Sequence, residues 1–254
     1  MNQPSRRLLI RPGAIGDFIV SLPAMEALRA DYTEVWCAEG NVPLARFADS
    51  ARSIGNSGLD RLGLLPADDV VSRLWSFDSI ISWYGTRNEV FRETARKLAL
   101  PIQFLDALPL GGCHAVEYYR QQALSLGARE VGRVPSIRCP DKAREYAVIH
   151  PFASNVNKRA PMLQFEVLAE RLSKNMPVHW LSGPEEELPG AVQFPNLYDL
   201  ACWLRGARIF VGNDSGIGHL AAGVGTPVLS MFRTTDPRIW APRGVAVDVV
   251  RVTA

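Results

Sequence analysis

The chain has 254 residues, 47% of them hydrophobic, with 28 Lys and Arg against 26 Asp and Glu and a formal net charge of +2. That length accommodates one large domain or two ordinary ones, each with its own core. The near balance of charge excludes the basic stripe of a nucleic-acid-binding protein, and no apolar stretch approaches the length that spans a bilayer.

At the N-terminus, MNQPSRRLLIRPGAIGD has neither the long apolar centre nor the small-residue cleavage site of a signal peptide. Residues 8–10, Leu-Leu-Ile, read as a first strand, and residues 17–29 as a helix with Phe18, Ile19, Leu22, Met25 and Leu28 at helical spacing. Pro23 within it is expected to kink the helix or limit its first turns. Strands follow at 35–38 and 79–83, a helix at 88–100, a strand at 102–105 and a helix at 115–126. The apolar runs show little strict alternation, which points to a parallel sheet covered on both faces.

From about residue 128 to 144 the pattern lapses into GAREVGRVPSIRCPDKARE, rich in charge, Pro and Gly. This reads as a linker, residues 131–144, between an N-terminal domain, 1–130, and a C-terminal domain, 145–254. The alternation restarts with strands at 146–150, 178–181, 209–211 and 228–232, the last clear one. Helices lie at 163–174, 197–206 and 216–224. The four cysteines, Cys37, Cys113, Cys139 and Cys202, form no CxxC pair and have no His at metal spacing. They read as reduced thiols of a cytoplasmic protein, one that could touch a membrane surface. No metal site and no cofactor are expected.

In parallel α/β sheets, ligands bind beyond the carboxyl ends of the strands. Four segments carry suitable residues there. In IRPGAIGDF, Gly13 and Gly16 allow a tight turn, and Asp17 stands at or near the next helix N-cap. It serves either as a cap or as a general base facing an interdomain cleft. In VIHPFASNVNKRAPM, a strand-end His150 precedes a loop with Ser154, Asn155, Asn157, Lys158 and Arg159. That loop is either a solvated surface or a seat for an anion of several oxygens. In HWLSGPEEE, Gly183 makes a turn, and Glu185 to Glu187 either complement a helix start or offer a carboxylate to ribose hydroxyls.

The fourth segment, VGNDSGIGHL, favours function. Gly212 and Gly216 free the backbone, and the amides of Ser215, Gly216 and Ile217 project from a helix N-terminus, where the dipole attracts an anion. His219 lies on the face shared by Ser215 and Gly216. Asp214, misplaced beside a phosphate, suits a cap or an acceptor for sugar hydroxyls.

Three segments in order, RPGAIGDFIVSLPAMEALR, VIHPFASNVNKRAPM and VGNDSGIGHLAAGVGTPVLSMF with TTDP, resemble glycosyltransferase family 9, the ADP-heptose:lipopolysaccharide heptosyltransferases and their relatives. The resemblance implies a GT-B fold, with two Rossmann-like domains facing across a cleft. The N-terminal domain would receive a lipid-linked or oligosaccharide acceptor of the lipopolysaccharide core type, the C-terminal domain a nucleotide-sugar. Transfer would be inverting and need no metal. Asp17 would be the general base, and Lys158 would neutralise the leaving diphosphate with help from Ser154 and Asn155. The turn at Ser215 and Gly216 would hold the phosphates beside His219, Asp214 would reach the sugar, and Glu185 or Glu186 the ribose. The chain departs from the family pattern at Phe152, where glycine is usual, and at Arg159-Ala160, where the family has Trp-Pro.

Two other readings compete. One is a noncatalytic nucleotide-sugar-binding protein on the same fold. The other, a nicotinamide-dependent oxidoreductase, is disfavoured because no G-x-G-x-x-G follows either first strand.

Overall fold

The computed structural model describes residues 4–62, 68–109 and 111–252; Met1 to Gln3 of the N-terminal segment and the last two residues lie outside them. Its first half runs β1 (Arg6–Arg11), α1 (Ile15–Ala27), β2 (Tyr32–Cys37), β3 (Ser50–Ser53), α2 (Asp68–Trp75), β4 (Ser79–Ser82), α3 (Glu89–Lys97), β5 (Ile102–Phe104) and α4 (Ala115–Ser125). The second half runs β6 (Tyr146–His150), α5 (Met162–Ser173), β7 (Val178–Trp180), α6 (Leu197–Leu204), β8 (Ala207–Asn213), α7 (Gly216–Gly223), β9 (Val228–Phe232), α8 (Pro237–Trp240) and β10 (Val247–Arg251).

The strands form two five-stranded parallel sheets, ordered β3-β2-β1-β4-β5 and β10-β9-β8-β6-β7. The middle residues of the central strands are mainly apolar because both faces are covered. Side chains alternate between the two faces. Leu8 and Ile10 pack with Val70 and Leu74 of α2 and Phe91 and Ala95 of α3. Leu9, on the opposite face, packs with α1 and α4. In the second sheet Ile149 and Val211 face Phe165 of α5, while Val148 and Phe210 face α6 and α7. Leu9, Val148 and the apolar faces of α1, α4, α6 and α7 share one continuous core. The two sheets are thus joined by a common helical layer.

Residues 126–145 contain no helix or strand. They are tethered by backbone and side-chain bonds: Ile137 N donates to Gly223 O at 2.8 Å, Tyr198 Oη to Arg138 O at 3.2 Å, and Arg144 Nη2 to Gly225 O at 2.6 Å.

Several sequence expectations are corrected. Helix α1 begins at Ile15 behind Ala14, so Asp17 stands in the first turn and makes no capping bond. Pro23 lies inside α1, which runs unbroken to Ala27. β3 and α2 were not foreseen. β9 is not the last strand, since β10 pairs with it in parallel register. No helix follows Glu185 to Glu187; the next begins at Leu197, capped by Asn196, whose Oδ1 accepts from Tyr198 N and Asp199 N. Among the described residues no helix is long and apolar enough to cross a membrane.

Candidate functional site

Each sheet has one point where its strand order reverses, between β1 and β4 in the first and between β6 and β8 in the second. Ligands of open α/β sheets bind outside such points. The loops after β1, β6 and β8 carry nearly all the residues singled out above.

After β1 the chain turns at Gly13, whose φ of +116° suits glycine alone. A Cβ there would lie 3.2 Å from Asp17 Cβ and 3.4 Å from Asp17 Oδ2, so the Asp17 side chain folds over this glycine. Asp17 is half-buried, and among the described residues its carboxylate joins no hydrogen bond or ion pair. The turn is clamped by Arg11, only 2% exposed. Its guanidinium donates to Pro12 O at 3.0 Å, to Asp17 O at 2.9 Å, to Ser21 Oγ at 3.0 Å and to Tyr119 Oη at 2.9 Å. It also lies over the rings of Tyr119 and Trp83. Burial pushes the Tyr119 phenol up to about 12. Asn41, buried in the 3-10 turn Glu39–Leu44, donates from Nδ2 to Gly13 O at 3.1 Å.

After β6 the loop is fixed by Asn213, the last residue of β8. Its Nδ2 donates to Pro151 O at 2.7 Å and its Oδ1 accepts from Ala160 N at 2.8 Å. Asn155 Oδ1 accepts from Asn157 N and caps the 3-10 turn Val156–Lys158. That turn delivers Lys158 Nζ to within 2.7 Å of Asp214 Oδ2. Thr235 donates its hydroxyl to the same oxygen. Ser154 is exposed, and among the described residues its side chain makes no bond.

At the start of α7, Ser215 occupies the N-cap without a side-chain capping bond, and among the described residues its buried Oγ has no partner. The first amides of a helix lack intrahelical acceptors and carry the positive end of its dipole. Here that end meets the start of α1. A Cβ on Gly216 would lie 2.7 Å from Ile15 Cβ and 2.9 Å from Gly16 N, and one on Gly16 would lie 3.3 Å from His219 Cδ2. Two glycines therefore allow two helix starts, one from each sheet, to touch. His219 is buried, and its pKa falls to about 4. Burial is the main cause, with the charges of His114 and Lys158 adding to it and Asp214 opposing. His114 bridges the sheets, since its Nδ1 accepts from Val116 N while Nε2 donates to Ala241 O at 2.8 Å.

In the third segment the structure engages Glu186 and leaves Glu185 exposed. Glu186 Oε2 accepts from Gly183 N at 2.6 Å and lies 3.1 Å from His150 Nε2. Burial raises its pKa, but the bonds from His150 and Gly183 and the charge of Arg159 outweigh that and hold it below the usual range. Spacing could not separate three adjacent glutamates. Arg11, Asn41, Asn213 and Thr235 were also missed. Their partners lie far along the chain, apart from the Arg11 contacts with Pro12, Asp17 and Ser21.

Open grooves of about 1130 Å³ beside α3 and β5 and about 680 Å³ beside the C-terminal end of α1 are not lined by any of these residues. The candidate site is instead a seam between helix starts. Among the described residues no three His, Cys, Asp or Glu side chains are grouped to hold a metal ion.

Two parallel α/β sheets, with their switch points meeting in one seam, define a protein of the GT-B class. Residues 114–254, more than half of the chain, match the model of glycosyltransferase family 9 (heptosyltransferase), and the chain belongs to that family. It is 32% identical over 169 residues to lipopolysaccharide heptosyltransferase 1 of Pseudomonas aeruginosa, a match spanning 58% of this chain and 47% of that protein. The chain thus matches less than half the length of its curated relatives. Among solved structures it is similar to a family 9 glycosyl transferase from Veillonella parvula, with a TM-score of 0.77, 17% identity and coverage of 98% of this chain and 86% of the other. It is also similar to the E. coli heptosyltransferase WaaC with ADP, with a TM-score of 0.71, 19% identity and coverage of 97% and 93%.

Proposed function

We propose that this chain transfers a sugar, a heptose, from a nucleoside-diphosphate donor such as ADP-heptose to an acceptor of the lipopolysaccharide core type. Residues 1–130 would hold the acceptor at the inner face of a membrane and residues 145–254 the donor, with 131–144 as the linker. The observation that carries this is the contact of Gly16 with Gly216 and His219, which sets a carboxylate of one sheet beside the helix start of the other.

In this reading Asp17 takes the proton of the acceptor hydroxyl as that oxygen attacks the anomeric carbon from the face opposite the leaving group. The anomeric configuration inverts, and the bond to the diphosphate oxygen breaks. The charge that develops on the diphosphate is met by the amides of Gly216 and Ile217, by the Ser215 hydroxyl and by Lys158. Preorganised donors of this kind stabilise a transition state where water cannot. Lys158 must leave Asp214 to do so, and Asp214, still held by Thr235, is then free to accept sugar hydroxyls. Ser154 and Asn155 shape the Lys158 loop. Glu186, fixed by His150, replaces Glu185 as the carboxylate for the ribose. His219, neutral, lines the seam without adding charge. The charge stabilisation comes from the protein, so turnover should be insensitive to EDTA.

The alternative is a noncatalytic nucleotide-sugar-binding protein, and one contact bears on both readings. Ile15 sits against Gly216, so the lobes must part before a donor reaches those amides. Asp17→Asn separates the two. The enzyme reading expects ADP-heptose to raise the melting temperature of wild type and variant alike, with transfer to a lipopolysaccharide-core acceptor lost in the variant. Binding by both with no transfer by wild type favours the alternative.

A further inference from the structure

We propose that Arg11 and Asn41 are positioning residues that hold the Pro12–Asp17 turn as a rigid mount for the Asp17 carboxylate. This rests on the reading of Asp17 as the general base. It goes beyond that reading by assigning the rate of the step to two side chains that touch neither substrate.

The Asp17 carboxylate itself has no protein partner among the described residues, so nothing aims it except its own backbone. That backbone is held at three carbonyls. Asn41 grips Gly13 O; Arg11 grips Pro12 O and Asp17 O together. These contacts bracket the one residue of the turn, Gly13, whose conformation suits glycine alone. The guanidinium is suited to this because its planar fork reaches several acceptors at once.

Fold stability alone does not account for either residue. Arg11 is a buried cation whose hydrogen bonds go to carbonyl and hydroxyl oxygens, in a place where an apolar side chain would avoid the loss of hydration. Asn41 is 1% exposed, and among the described residues its Oδ1 finds no donor. A buried amide with one end unpaired costs more than its single bond returns. Turning the amide over would set Oδ1 against the Gly13 carbonyl, so the observed orientation is the one that serves the turn. Gly13 is exposed, and water could satisfy its carbonyl without Asn41. Residues that break a local rule without gain in stability mark places where function is held.

The test uses Asn41→Leu and Arg11→Lys, each alone and combined with Asp17→Asn. Displacing a catalytic group by about 1 Å costs on the order of 100-fold. Asn41→Leu should therefore lower kcat by about 10- to 100-fold, with KM for donor and acceptor within about twofold of wild type and a melting temperature that is unchanged or raised. Arg11→Lys keeps the charge but loses the fork, and should lower kcat at least as much. In single turnover at high enzyme concentration, neither change should lower the residual rate of Asp17→Asn by more than about twofold. The inference is overturned if Asp17→Asn is nearly inactive while both single variants keep the wild-type kcat, or if their losses are as large on the Asp17→Asn background as in the otherwise wild-type chain. Wild-type turnover by Asp17→Asn overturns the reading of Asp17 itself. Should Arg11→Lys fail to fold, Asn41→Leu carries the test alone.

Discussion

The loops after β1 and after β6 occupy equivalent places, each following the first strand of its sheet at the point where strand order reverses. Each is fixed by a buried asparagine, Asn41 through Gly13 O in one and Asn213 through Pro151 O and Ala160 N in the other. They differ in the charge they present. The first offers a carboxylate that has no partner among the described residues, on a clamped backbone. The second offers a cation already paired, Lys158 with Asp214 at 2.7 Å. An unpaired base is ready to take a proton, whereas a paired lysine must be won by a ligand that outcompetes a carboxylate. In the proposed function, the first loop governs the chemical step and the second the affinity for the leaving group.

The largest effect that sharpens this comparison is expected from Asp17→Asn. A general base contributes about 10²- to 10⁴-fold, so kcat should fall in that range, with donor affinity by calorimetry within about twofold of wild type. Lys158→Ala should cost about 10²- to 10³-fold in kcat/KM, and here donor affinity must fall as well. It also strands the buried Asp214 carboxylate, 5% exposed, so the melting temperature should drop, and Asp214→Asn on that background should restore part of it. If Lys158→Ala lowered kcat alone, the division of labour between the loops would be lost.

The pH dependence of stability gives a smaller effect. His219 is held at about 4, below its ordinary 6.5, mainly by burial. A depressed histidine contributes nothing above 6.5, where it is neutral in both states. As pH falls from 6.5 towards 4 the unfolded chain takes up the proton first, and stability is lost at about 1.4 kcal/mol per unit, roughly 3 kcal/mol over that range. Urea titrations between pH 4 and 7 should show this slope in wild type and a flatter one in His219→Gln. Smaller still is Gly216→Ala, whose methyl would meet Ile15 Cβ at 2.7 Å and Gly16 N at 2.9 Å. Overpacking of this kind costs about 1–3 kcal/mol, read as a lower urea midpoint.

Much of this architecture was legible in the sequence because buried parallel strands announce themselves as unbroken apolar runs. Leu8-Leu9-Ile10 and Val228 to Phe232 were found in that way. β3, read as Ser-Ala-Arg-Ser, and β10, with Val249 and Val250 exposed, were missed. Both are edge strands, covered too little to need a continuous apolar sequence. Residues that act through their own local backbone, such as Gly216 and Ser215, stood out by spacing. Asp17 was placed near a cap, whereas its helix starts two residues earlier behind Ala14. Side chains whose partners come from another strand or loop gave no local signal of what they bond. Thr235 reaches Asp214 across 21 positions, and Asn41 reaches Gly13 across 28. The choice of Glu186 over Glu185 depends on which of two adjacent carboxylates faces His150, and only the folded turn decides it.

The most direct measurement is a crystal structure of the chain grown with ADP. The account predicts the diphosphate within hydrogen-bonding distance of the Gly216 and Ile217 amides, Lys158 Nζ moved from Asp214 onto a phosphate oxygen, and Ile15 withdrawn from Gly216. Diphosphate bound elsewhere, or Lys158 still closed on Asp214 with Ile15 against Gly216, would contradict it.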